Sequence, residues 1–148
     1  MKKLVSVLLF IISLVSYGQI HSPVKWTTSV KKISNQEIEL IATAILDDEW
    51  HIYSQEIPKG GPIPTLFSFI GDKRYLKKGN TKEDEGHVVD DEMFDMRIKY
   101  FDEKAVFKQR IRLKTQEKFI IKGTVEYMVC SDENCLPPKE EDLSFMIN

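Results

Sequence analysis

The sequence predicts an all-β domain, an antiparallel β-sandwich. Apolar residues recur with period two over long stretches, as in half-buried strands. Turn-forming Gly, Pro, Asn and Asp clusters separate those stretches. No segment combines an apolar period of 3.6 with caps, so no amphipathic helix is expected. Strands alone, in one chain of ordinary domain size, must bury their apolar faces against each other.

The elements follow in order. A strand is expected over residues 24–30, ended by Ser34-Asn35. In the next, Ile38, Leu40, Ala42 and Ala44 alternate with Glu37, Glu39, Ile41 and Thr43, up to the turn Asp47-Asp48. Residues 50–55 form an aromatic strand before Pro58-Lys59-Gly60-Gly61-Pro62. Residues 65–70 form another, ended by Gly71-Asp72. Residues 80–95 interrupt the pattern and read as a loop. They hold the acids Glu83, Asp84, Glu85, Asp90, Asp91, Glu92 and Asp95, with Met93 and Phe94 at the far end. Such a loop is either simply solvated or lays an apolar side chain over a neighbouring site.

Strands resume over residues 96–101, before Asp102-Glu103-Lys104. Val106, Lys108, Arg110 and Arg112 interleave with Phe107, Gln109, Ile111 and Leu113, up to Thr115-Gln116. Ile121, Gly123, Val125, Tyr127 and Val129 then interleave with Ile120, Lys122, Thr124, Glu126 and Met128 in one long strand. Residues 143–147 close the set of about eight strands.

The start reads as an export signal: Met1-Lys2-Lys3, a largely apolar run over residues 4–15, then Ser16-Tyr17-Gly18 with small residues at the −3 and −1 positions of a cut. The run is shorter than the roughly 20 apolar residues of a membrane-spanning helix. Residues 1–18 are thus expected to be a signal peptide, and residues 19–148 one exported domain with no membrane insertion. Cleavage leaves 130 residues with 19 basic and 23 acidic side chains. That mild net charge of −4 argues against nucleic acid or an anionic membrane as partner.

The chain has two cysteines, in Cys130-Ser131-Asp132-Glu133-Asn134-Cys135, followed by Leu136-Pro137-Pro138. In an exported protein such a pair is a structural disulfide or a redox site. A loop this short stabilises by only about 2 kcal/mol in the chain-entropy model. Secreted domains that rely on disulfides usually carry several, between distant segments. Asp132 and Glu133 lie between the cysteines with no Lys or Arg, which disfavours the thiolate and suggests a guarded pair. Cys130 ends a long strand and is expected to be the more buried. Cys135, at a proline-rich turn, is the one open to a partner. Copper(I) or zinc binding by the two sulfurs with a His or Met is a third possibility. The residues alone leave all three open.

Gly123-Thr124-Val125-Glu126-Tyr127-Met128-Val129-Cys130, with Cys135-Leu136-Pro137-Pro138, resembles the active-site hairpin of the N-terminal periplasmic domain family of the thiol:disulfide interchange protein DsbD. Glu49-Trp50-His51-Ile52-Tyr53-Ser54-Gln55 is similar to that family's aromatic strand. Asp91-Glu92-Met93-Phe94 with Ile98-Lys99-Tyr100 resembles its cap loop and following strand. The cysteine spacing is one residue shorter than in the best-known members.

The resemblance implies an immunoglobulin-like sandwich whose cysteine pair exchanges disulfides in the periplasm. Cys135 would form the mixed disulfide and Cys130 would resolve it. Phe94, beside Met93, would shield the pair, with Asp91 and Glu92 opening the cap and His51 and Tyr53 lining the site. The implied activity is that of a thiol:disulfide oxidoreductase. Its partners are a thioredoxin-like donor, here a separate protein, and periplasmic disulfide-containing acceptors. No cofactor is expected, because two sulfurs carry the two electrons. The alternative is a secreted β-sandwich binding module with a structural disulfide.

Overall fold

The computed structural model describes residues 22–148. The expected signal peptide and its cleavage site lie outside the described residues. Eleven strands and no helix are present among the described residues: β1 Val24–Lys32, β2 Glu37–Leu46, β3 His51–Tyr53, β4 Leu66–Phe69, β5 Tyr75–Glu83, β6 His87–Asp91, β7 Met96–Asp102, β8 Lys104–Leu113, β9 Phe119–Tyr127, β10 Val129–Cys130 and β11 Lys139–Ile147. All pairings are antiparallel.

One layer is the sheet β1-β2-β8-β5. The opposite layer is split into β11-β9-β4 and β10-β3-β7-β6. The split occurs at Met128, where the chain leaves β9, paired with β4 and β11, and enters β10, paired with β3. The expected single strand to residue 129 is therefore two, serving two sheets. The layers meet through alternate residues. Ile38, Leu40, Ala42 and Ala44 of β2 face Ile121, Val125 and Tyr127 of β9 and Leu143 and Phe145 of β11 across one buried core. Aromatic rings bridge the layers: Trp26 with Phe67 and Tyr127, and Phe107 with Phe67 and Phe101. This is the antiparallel sandwich that the alternation predicts, with the immunoglobulin-like architecture that the resemblance implies.

Two strands were not expected. β6 falls within the stretch that reads as a loop, and β5 runs into its start. Both are edge strands, so most of their side chains face solvent and no apolar alternation is required of them. β5 also carries an irregularity between Lys78 and Lys82, with Gly79 at φ 66°. The buried Gln109 of β8 fills it, its amide donating to the carbonyls of Lys78 and Gly79 and accepting from Thr81. The polar side chain that breaks the alternation of β8 thus satisfies backbone groups that the bulge leaves unpaired.

Candidate functional site

The sheet β10-β3-β7-β6 has an inner and an outer face. Val129, Ile52 and Phe101 point inward to the main core. On the other face, Cys130, Tyr53 and Ile98 form a second, smaller buried cluster, with Phe94, Met96, Tyr100 and Cys135 packed against it. Register fixes this arrangement. Cys130 lies opposite His51, and Tyr53 opposite Tyr100, so all four share the outer face.

Cys130 and Cys135 are joined by a disulfide, with their Cα atoms 4.0 Å apart across a tight hairpin. The Ser131 N–H donates to the Asn134 carbonyl at 2.8 Å, and the Leu136 N–H to the Val129 carbonyl at 2.9 Å. Those two bonds flank the cysteines and set them face to face as a non-hydrogen-bonded pair. Ser131 Oγ accepts from the N–H groups of Glu133 and Asn134, each at 3.3 Å, which closes the turn. The cysteines are unequal, as expected: Cys130 is 1% exposed and Cys135 is half-buried.

The turn between β6 and β7 covers the disulfide. Asp91 Oδ1 accepts from the N–H groups of Met93 (2.9 Å) and Phe94 (3.0 Å), a local side-chain bond that shapes the turn. Asp95 takes φ 51°, a left-handed conformation that aspartate tolerates. The result points two side chains at the site. Phe94 meets the Tyr53 ring edge-on at 6.1 Å between centroids. Met93 reaches further, and its Sδ lies 3.5 Å from Cys135 Sγ. Met93 thus touches the cysteine sulfur, and Phe94 packs beside it on Tyr53 in the same cluster. Glu92 is exposed on the cleft rim.

That cleft, about 280 Å³, has His51 and Tyr53 on one wall and Asp91, Glu92 and Asp132 around it. Burial lowers the pKa of His51, against the opposing pull of Asp91, Asp132 and Asp102, so its imidazole is neutral at neutral pH. Burial, and then Asp91, push the Tyr53 phenol far up, so it is also neutral. The two side chains share a hydrogen bond of 3.1 Å. The structure therefore gathers Cys130, Cys135, Asp91, Glu92, Met93, Phe94, His51 and Tyr53 in one place. Among the described residues no three His, Cys, Asp or Glu are placed to hold a metal ion.

A polar latch supports the wall and was not anticipated. Glu83 of β5 accepts from Ser54 Oγ (2.5 Å) and the Gln55 N–H (2.9 Å), and pairs with Lys99 (3.0 Å). Burial works to raise its pKa, but those hydrogen bonds and the Lys99 charge prevail and hold it below the usual carboxylate value. The latch ties the end of β3 to the edge of the other layer. Its signal lay in the acidic stretch, where one carboxylate of seven is largely buried; nothing in the order of residues distinguishes it.

The family model described as "Thiol:disulfide interchange protein DsbD, N-terminal" matches residues 22–146. The chain belongs to this family. It is thus a thiol–disulfide exchange domain with a disulfide-forming cysteine pair. No curated protein sequence matches it. Among solved structures, the reduced DsbD N-terminal domain of Neisseria meningitidis is similar at 12% identity and TM-score 0.52, over 80% of this chain and 83% of that one. The same domain in complex with the PilB N-terminal domain gives 12% and 0.51, over 80% of each. The N-terminal periplasmic domain of ScsB from Proteus mirabilis gives 15% and 0.55, over 88% of this chain and 48% of that one. At such identities these likenesses speak to the fold.

Proposed function

We propose that this domain relays reducing equivalents in the periplasm, from a thioredoxin-like donor to disulfide-containing acceptor proteins. The observation that carries the reading is the inequality of the two sulfurs. Cys130 is sealed in the outer cluster, whereas Cys135 is reached by displacing one turn. A donor thiolate attacks Cys135 Sγ, the bond to Cys130 breaks, and Cys130 leaves as a thiolate. The donor's second thiol then attacks its own sulfur in the mixed disulfide and releases Cys135 reduced. In the second half, the Cys135 thiolate attacks an acceptor disulfide and expels one acceptor thiol. Cys130 then attacks Cys135 Sγ, expels the other, and restores the disulfide. Two electrons pass per cycle through the two sulfurs, and no further cofactor is required.

The turn of Met93 and Phe94 shields Cys135 between encounters, and Asp91 holds it closed. His51 and Tyr53, both neutral, form an uncharged wall on which the sulfur of a partner can approach. A DsbD N-terminal domain of the same fold forms a complex with the PilB N-terminal domain, which supports a protein as the partner. Export rests on the sequence of residues 1–18, and no helix among the described residues is long and apolar enough to cross a membrane.

The test is the equilibrium reduction potential of the Cys130–Cys135 pair against a dithiol buffer. Exchange-active pairs lie above about −300 mV and structural disulfides below it. A value near −230 mV, within the range of reductive relay proteins, is expected. A value far below −300 mV would leave a structural disulfide and return the domain to a binding module.

A further inference from the structure

Three sulfur atoms meet at the disulfide, and only two belong to cysteines. Residues 22–148 contain four methionines, of which Met96 and Met128 pack against the outer cluster and Met146 lies on β11. Methionine is a common gap-filler, and burial accounts for the first two. It does not account for Met93, which is 53% exposed yet has its sulfur 3.5 Å from Cys135 Sγ. The turn that carries Met93 is held by Asp91, so the thioether is positioned before any partner arrives.

We propose that the reduced Cys130–Cys135 pair and Met93 form a binding site for copper(I). Thiolate and thioether sulfurs are soft donors, and a site made of them selects copper(I) over harder ions. A bond from sulfur to a d10 ion such as zinc is about 2.3 Å long, so two ligands of one such ion lie within about 4.6 Å of each other. The 3.5 Å between Met93 and Cys135 fits that limit. The hairpin bonds of Ser131 and Leu136 keep Cys130 beside Cys135 when the disulfide opens. Zinc is not served, because no third His, Cys, Asp or Glu among the described residues joins the pair. Asp91, Glu92 and Asp132 border the cleft and no Lys or Arg lines it, which favours a cation.

Loading balances simply. A dithiol reduces the disulfide to two thiols and is itself oxidised to a disulfide. Copper(I) then displaces one proton from each thiol and keeps its oxidation state. The site rests on the exchange reading, since it exists only in the reduced pair. It also opposes that activity, because the ion occupies the Cys135 sulfur that a partner must reach.

The experiment is an anaerobic titration of the reduced mature protein with copper(I), against a chromophoric copper(I) chelator as competitor. Thiols are counted beforehand by alkylation. One copper(I) per reduced protein is expected, and none for the disulfide form. Met93→Leu, which keeps the bulk and removes the donor, should weaken affinity at least tenfold, whereas Met146→Leu should leave it unchanged. Two alkylatable thiols without copper uptake would overturn the site and leave the exchange reading standing, as would a Met93→Leu protein with wild-type affinity. A protein in which a dithiol liberates no thiols would overturn both.

Discussion

The main core and the cluster around the disulfide lie on opposite faces of the same short sheet, and they are built by different rules. The core is continuous, fed by both layers, and closed by rings such as Trp26, Phe107 and Tyr127. The outer cluster has three fully buried members, Tyr53, Ile98 and Cys130, and its roof is a single turn held by one carboxylate. A β-sandwich normally leaves such an outer face polar and solvated. Here it is apolar and thinly covered, so it adds little to stability but keeps a sulfur dry until the cover moves. Stability and reactivity are separated by the thickness of one sheet.

The sharpest way to break this comparison is to damage each side in turn. Cys135→Ser should abolish reductase coupling to a thioredoxin-like donor while costing only about 2 kcal/mol of stability, the worth of so short a disulfide loop. Phe107→Ala, on the other face, should cost about 3–5 kcal/mol as a buried aromatic cavity, with exchange retained in whatever fraction stays folded. Denaturant unfolding and a coupled reduction assay read both. A Cys135→Ser protein that lost as much stability as Phe107→Ala would show that the two regions are one cooperative core.

Phe94→Ala comes next. It removes the ring that anchors the cap on Tyr53, and should speed alkylation of the reduced thiols at least about tenfold without much change in unfolding. An unchanged rate would mean that Met93 shields Cys135 unaided. Asp91→Ala acts on the same turn more weakly. Its two hydrogen bonds, at about 0.5 kcal/mol each in so exposed a turn, are together worth about 1 kcal/mol, so their loss would raise the open population roughly fivefold. Alkylation faster than in Phe94→Ala would make Asp91, and not the ring, the hold on the cap.

The same comparison explains what could be read from the sequence. Core-facing strands announce themselves, because one side of β2, β8 and β9 must be apolar at nearly every second residue, Gln109 of β8 being the exception. β5 and β6 do not, since an edge strand in water needs no such pattern. The cysteine hairpin was legible because two sulfurs, a tight turn and two prolines are uncommon together. The cap was legible only in outline. The family resemblance places Asp91, Met93 and Phe94 near the site, but the contact between the Met93 and Cys135 sulfurs depends on how the β6–β7 turn bends, and neighbours in sequence do not encode that. The Glu83 latch was invisible for a similar reason: its partners, Ser54, Gln55 and Lys99, come from two other segments.

The smallest expected effect is a pH dependence at the site wall. His51 has its pKa lowered in the folded protein, mainly by burial, while Asp91, Asp132 and Asp102 oppose that shift. The unfolded chain therefore binds the proton more readily than the folded one. Stability is at its full value above the ordinary histidine pKa of 6.5, and declines as the pH falls from there through the lowered folded value. His51→Gln removes the titration and keeps a polar group beside Tyr53. Its unfolding free energy should be flatter than that of the wild type as the pH falls from 6.5, with the two curves parallel at higher pH. If the wild type instead gained stability as His51 protonated, the three carboxylates would outweigh burial. The outer face would then be a charged site, and its contrast with the main core would be one of polarity and not of cover.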